Sequence, residues 1–179
     1  MQDVMIDLET MGQGPAAAII SIGAVEFDRE TRQIGTGVHI RVDLRSSVQL
    51  GGVIDPDTVL WWLKQSDAAR QDLVNGHSVG LPVALQNFTL FLKGCCDLRD
   101  VRIWGNGSDF DNVILAGAYR RTLLEVPWKF FNNRCYRTWK NEHPDTRLER
   151  AGTHHNALDD AISQARHMLS VPFELPAAA

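Results

Sequence analysis

An acidic pair set into an apolar strand constrains this chain more than any other feature. Residues 4–12 read VMIDLETMG, in which Val4, Met5, Ile6 and Leu8 favour a buried strand while Asp7 and Glu9 stand two residues apart. Residues i and i+2 of a strand point to the same face. Both carboxylates are therefore aimed into one small volume, where like charges repel and raise each other's pKa. A cation, a basic partner or a shared proton has to offset that cost, so the fold must bring something to this point.

Two further segments place acids at element starts. WGNGSDFDNVIL carries Asp109 and Asp111 just after an apolar run, and HHNALDDAISQA carries His154, His155, Asp159 and Asp160 at the opening of an amphipathic stretch. Asp109 also suits a plain helix cap. Asp159 and Asp160 differ by about 100° around a helix axis, and helix geometry alone does not choose between them. Oxygen ligands without cysteine suit magnesium or manganese. Several carboxylates around one point suit a pair of such ions about 4 Å apart, clamping the attacking and leaving oxygens of a phosphoryl displacement. A nearby histidine can take the proton from the attacking water.

The 179 residues suit one domain, expected over 1–172, with 173–179 as a tail that frays. With 44% hydrophobic and 22% charged residues the composition is that of an ordinary soluble protein. No apolar run approaches the roughly 20 residues of a membrane span, and no basic-then-apolar leader opens the chain. The expectation is a cytoplasmic protein with no membrane partner. Cys95 and Cys96 are adjacent and Cys135 stands alone, which is neither a disulfide framework nor a zinc pattern; they read as packed, idle thiols. Net charge is -4, yet residues 120–140 hold six bases against one acid, leaving that stretch at +5 and the remainder at -9. Trp128, Phe130, Phe131, Tyr136 and Trp139 are interleaved with those bases. The mixture suits a polyanion with stackable bases, although such aromatics also build cores.

AAAIISIGAVEFD and IGTGVHIRVD read as a second and a third strand, completing a meander with Gly23 at a close-packing or bulge position. DPDTVLWWLKQ predicts a helix with Asp55 as N-cap and Pro56 at its first position. A second short helix covers Asp67 to Val74, and Leu81, Leu85, Phe88 and Leu92 fall at helical spacing. VRIWGN predicts a strand, FDNVILAGAYRR a helix and KFFNNR a further short strand. The last helix is expected from near His155 to about Leu169, with Leu158, Ile162, Ala165 and Leu169 as its apolar stripe. A meander followed by alternating elements predicts an α/β fold, one mixed sheet with helices on both faces.

At these residues a resemblance becomes specific. DLET, NGSDFD and HNALDD resemble the three motifs of the DEDD exonucleases of the DnaQ-like, ribonuclease H-like superfamily. Asp7 and Glu9 match the first motif, and Asn106 to Asp111 matches N-x-x-x-F-D of the second, implying Asp111 rather than Asp109 as ligand. His155 to Asp160 matches H-x-A-x-x-D, the mark of the DEDDh branch, implying His155 as general base and Asp160 as ligand. The resemblance thus implies two Mg2+ or Mn2+ held by Asp7, Glu9, Asp111 and Asp160, on a five-stranded mixed sheet whose first three strands are antiparallel. The longer wording (IDLETMG, AIISIGAVEF, WWLKQS, WKFFNNR) is similar to phage and prophage exonucleases of the DexA and exodeoxyribonuclease VIII type, and to a bacterial 3′ to 5′ exoribonuclease group.

The resemblance further implies that Thr10, Met11 and Gly12 receive the terminal nucleotide, with Asn106 beside it. Met11 is equally suited to the core. Arg134 and Arg137 suit substrate phosphates, although Cys135 stands where relatives carry an acid. Of the neighbours Trp61 and Trp62 only one can face the core squarely, leaving the other for base stacking, and Trp62 is carried as a substrate-binding candidate. The expected activity is metal-dependent 3′ to 5′ hydrolysis of single-stranded nucleic acid to nucleoside 5′-monophosphates, with DNA favoured by likeness to the phage enzymes and RNA as the alternative. A homodimer is expected by the same likeness. The rival is a binding module that keeps the fold without the chemistry.

Overall fold

β1 (Asp3–Thr10) is buried along almost its whole length, as its apolar wording requires of a central strand. The computed structural model describes residues 1–107 and 109–172; the expected tail at 173–179 lies outside them. Antiparallel to β1 runs β2 (Ile19–Asp28), and β3 (Gln33–Arg41) pairs with β2 to finish the meander. On the other side of β1, β4 (Arg102–Gly105) and β5 (Asn133–Cys135) add in parallel, giving the order β3-β2-β1-β4-β5. The five-stranded mixed sheet agrees with the expectation from the sequence.

Seven helices flank the sheet among the described residues: α1 (Leu44–Gln49), α2 (Pro56–Leu63), α3 (Asp67–Val74), α4 (Leu81–Cys95), α5 (Asp111–Arg121), α6 (Tyr136–Glu142) and α7 (Ala157–Ser170). Side-chain alternation along β1 builds a core on each face of the sheet. Val4, Ile6 and Leu8 pack with Leu85, Phe88 and Tyr119 of α4 and α5. Met5 packs on the opposite face with Val25, Phe27, Tyr136, Ala161 and Ala165, which come from β2, α6 and α7. Asp3 is buried where β1 meets β4; it accepts two hydrogen bonds from Arg102 and one from Trp104 Nε1 at 2.7 Å.

Three expectations change in detail. KFFNNR is mostly a 3-10 turn over Phe130–Asn132, with the strand confined to Asn133–Cys135. Asp109 does not cap α5: the cap position is Phe110, without a side-chain bond, and Asp109 is exposed. The last helix begins at Ala157 because His155 has a φ of 65°, outside the helical region, and the Asn156 side chain accepts from the amides of Leu158 and Asp159. The short α1 and α6 carried no signal in the reading of the sequence.

Two glycines set how closely helices approach the sheet. A Cβ on Gly23 would lie 2.1 Å from the Ala157 carbonyl carbon and 2.3 Å from the Leu158 nitrogen, so the start of α7 rests on bare β2 backbone. A Cβ on Gly105 would lie 2.3 Å from Asn112 Oδ1 and 2.9 Å from Asp111 Cβ, so the first side chains of α5 rest on the bare end of β4. Gly23→Ala is expected to cost about 3 kcal/mol or more, because main chain rather than a flexible side chain must move. Gly94, inside α4 with open space around it, is the control: Gly94→Ala should stabilise by about 0.5–1 kcal/mol. Urea unfolding of the two variants reads both signs.

Candidate active site

Asp7 and Glu9 lie on the same face of β1, as the alternation requires, and the pairing with β2 shifts register immediately after Glu9. Such an irregularity twists a strand locally and re-aims its side chains. Across from the pair, the first turn of α7 delivers Asp160. One oxygen from each of Asp7, Glu9 and Asp160 lies within 4.8 Å of the other two. Glu9 is only 6% exposed, and its Oε1 has no hydrogen-bond partner.

The remaining oxygens are more firmly held. Asp7 Oδ1 accepts from Gln164 Nε2 at 2.8 Å. Asp160 Oδ1 accepts from Arg150 Nη1 at 2.7 Å, and its Oδ2 accepts from the His155 amide at 3.0 Å. Asp111 stands back from the three, with Oδ1 accepting from the Leu8 amide at 3.1 Å and Oδ2 from the Asn106 amide at 2.7 Å. Asp159 turns instead to the loop before α7, where Oδ2 accepts from the Thr153 amide at 2.7 Å.

Charge crowding appears in the proton affinities. Burial and then the charges of Asp111, Glu9 and Asp160 hold the Asp7 carboxyl well above its usual range. Burial, Asp160 and Asp111 push Glu9 up to about 8. Asp111 rises to about 6 through burial, despite the amides bonded to it. Three crowded carboxylates, one with a buried unpartnered oxygen, fit a hard divalent cation held by oxygen ligands.

His155 stands at the rim, its ring 3.7 Å from His154 and 4.9 Å from Trp61. Burial and the neighbouring His154 lower its pKa, against the pull of Asp160, so the ring is neutral near pH 7. His154, His155 and Asp160 also bring one ligand atom each within 4.8 Å.

A cleft of about 680 Å3 opens over these groups. Thr10, Gly12, Asn106, Trp62 and Arg137 line it, as does Asp160, whereas Arg134 and Met11 do not. Arg134 turns back onto the carbonyls of Phe131 and Asn133, both at 2.9 Å. Met11 packs against the small core of Ile20, Trp62 and Ala69. Arg137 donates to the Asn106 carbonyl at 2.8 Å, joining α6 to the loop before α5. Cys135 caps α6, its sulfur accepting the Thr138 amide at 3.4 Å, a weak version of the bond an acid would make there.

Of the two tryptophans Trp62 is the buried one at 4% exposure, its Nε1 donating to the Thr10 carbonyl at 3.0 Å, while Trp61 is 42% exposed. Trp62 therefore ties the Thr10–Gly12 loop to α2, and Trp61 offers the free ring surface. Two residues of the site escaped the sequence reading. Gln164 lies four positions after Asp160, on the same helix face, which is a usable signal. Arg150 sits in an irregular segment and carried none.

The chain matches the family described as the 3′-5′ exoribonuclease Rv2179c-like domain over residues 2–171. It is similar to the exodeoxyribonuclease of Enterobacteria phage T4, with 29% identity over 77% of this chain and 70% of that protein. Among solved structures it resembles the nuclease domain of 3′hExo, a DEDDh family member bound to rAMP, with a TM-score of 0.61, 16% identity and 94% and 90% of the two chains covered. It also resembles E. coli Exonuclease I in complex with a dT13 oligonucleotide, with a TM-score of 0.58 and 14% identity, over 94% of this chain and 39% of that one.

The raised carboxyls give a signed pH dependence. Groups bound more tightly to protons in the folded state stabilise it fully below their unfolded pKa, and that contribution is lost as pH rises through the folded value. In the metal-free protein, stability is expected to fall between about pH 5 and pH 8, where Glu9 moves from 4.5 to about 8. The loss amounts to several kcal/mol at about 1.4 kcal/mol per unit. Unfolding in EDTA across this range measures it: Glu9→Gln should flatten the slope, and an equally steep slope in that variant would assign it elsewhere.

Proposed function

This chain belongs to the Rv2179c-like 3′-5′ exoribonuclease domain family, a hydrolase acting as a 3′-5′ exonuclease, and on that premise we propose that it trims single-stranded nucleic acid with two divalent cations and His155 as general base. The observation that carries the reading is the convergence of Asp7, Glu9 and Asp160 within 4.8 Å around a buried, unpartnered Glu9 oxygen. A pure binding module gains nothing from buried negative charge facing phosphates.

Magnesium or manganese, when bound, supplies Lewis-acid polarisation of the phosphate and compensates the charge that grows on it. Asp7, Glu9 and Asp160 would hold the ions, and Asp111 would complete the set from a position fixed by the Leu8 and Asn106 amides. Gln164 orients Asp7. His155, neutral at the rim, accepts the proton of the attacking water. The rim of Thr10 and Gly12 receives the terminal nucleotide, Trp61 stacks on a base, and Arg137 meets a phosphate. Release of nucleoside 5′-monophosphates follows from attack at the last phosphodiester.

The sequence alone leaned to DNA through likeness to phage enzymes. Membership of a family described as exoribonucleases moves the preferred reading to RNA. DNA is kept as the second reading because the T4 relative is an exodeoxyribonuclease.

The test is a time course on two end-labelled oligonucleotides of one sequence, RNA and DNA, with magnesium, manganese or EDTA. A metal-dependent ladder descending from the 3′ end is expected. Asp7→Asn and Asp160→Asn should abolish it, Asp159→Asn should only weaken it, and His155→Ala should lower kcat by about 10²–10⁴-fold. Binding without shortening in either metal would overturn the reading, and equal loss in the Asp159 and Asp160 variants would overturn the ligand assignment.

A further inference from the structure

On the other face of the sheet, Glu26, Cys95 and Cys96 gather one ligand atom each within 4.8 Å of the others. Glu26 pairs with Val4 in the β1–β2 register, whereas Asp7 pairs with Gly23. The odd spacing between Val4 and Asp7 puts the two clusters on opposite faces. The nuclease reading above assigns nothing to this second group.

Adjacent residues on a helix do not normally face each other. The pair meets here because α4 ends at Cys95 and the backbone turns extended at Cys96, with φ of -140° and ψ of 155°. The two sulfurs come to 3.6 Å. Two thiolates on a tetrahedral ion at about 2.3 Å each sit roughly 3.8 Å apart, so little movement separates this arrangement from a chelate. The two cysteines are free thiols, their sulfurs well beyond the roughly 2.05 Å of a disulfide bond.

The surroundings ask for positive charge. Glu26 Oε1 accepts from the Thr36 amide at 2.9 Å, which orients the carboxylate beside the two sulfurs. The carboxylate stands beside Cys95, whose sulfur also lies 3.8 Å from the Leu92 carbonyl at the negative end of α4. All three residues are only half-buried, so solvent reaches the cluster.

We propose that Glu26, Cys95 and Cys96 form a second metal site, for a thiophilic divalent cation of the zinc and cadmium class. The cation enters with loss of two thiol protons to solvent and a water completes the tetrahedron. Binding clamps the C-terminal end of α4 to β2, away from the nuclease carboxylates.

Cadmium titration of the whole protein, followed by thiolate-to-metal charge-transfer absorption in the ultraviolet, tests this, because oxygen-only ligands give no such band. The expected result is a band saturating at one ion per chain. Cys95→Ser and Cys96→Ser should each abolish it, Glu26→Gln should weaken affinity at least about tenfold, and Cys135→Ser should leave it unchanged. No band in the unaltered protein would overturn the proposal irrespective of how the variants fold. A band that survives in the Cys95→Ser variant, or that vanishes with Cys135→Ser, would overturn it too.

Discussion

The contact on which the site depends is main chain against main chain, where the first turn of α7 rests on β2 at Gly23. Nothing larger than hydrogen fits there, since an added Cβ would sit 2.1 Å from the Ala157 carbonyl carbon. Because Gly23 pairs with Asp7 and Asp160 lies three residues beyond Ala157, this contact sets how far apart the carboxylates stand. Gly105 does the same for α5 and Asp111. Close packing is normally a gain in dispersion energy. Here it also forces together groups that repel.

The energetic consequence is a site that crowds buried negative charge, which a cation would relieve. Burial and mutual charge raise Asp7 and Glu9 far above ordinary carboxyls. Partial compensation comes from Arg150 on Asp160 and from the backbone amides on Asp111. Glu9 has no such help, and its unpartnered oxygen marks where positive charge is missing. The loop before α7 is shaped by the same carboxylates: Asp160 takes the His155 amide and Asp159 takes the Thr153 amide, which stabilises the positive φ at His155. One short segment thus holds Asp160 and His155 in fixed relation.

Much of this was legible in the residues. Runs of strand-forming apolar residues located the meander, and Asp55-Pro56 located the start of α2 to the residue. The face shared by Asp7 and Glu9 followed from strand alternation alone. What the sequence did not disclose depended on tertiary contacts or on segments too short for a period. The helices α1 and α6 have six and seven residues, barely two turns. Trp62 rather than Trp61 turned inward because its Nε1 finds the Thr10 carbonyl, a partner 52 positions away. Arg134 left the site because carbonyls of its own turn satisfy it. Arg150 reaches Asp160 from an irregular segment whose path no local pattern encodes. Nor did it disclose that the end of α4 brings the sulfurs of Cys95 and Cys96 to 3.6 Å.

Manganese-soaked crystals, with anomalous scattering recorded at the metal edge, test the central claim most directly. The account predicts two peaks about 4 Å apart, touching Asp7, Glu9, Asp160 and Asp111, with the Glu9 oxygen that lacks a partner among the ligands. Saturating manganese that leaves no peak at these carboxylates would contradict it, and the acids would then have to be explained by shared protons alone.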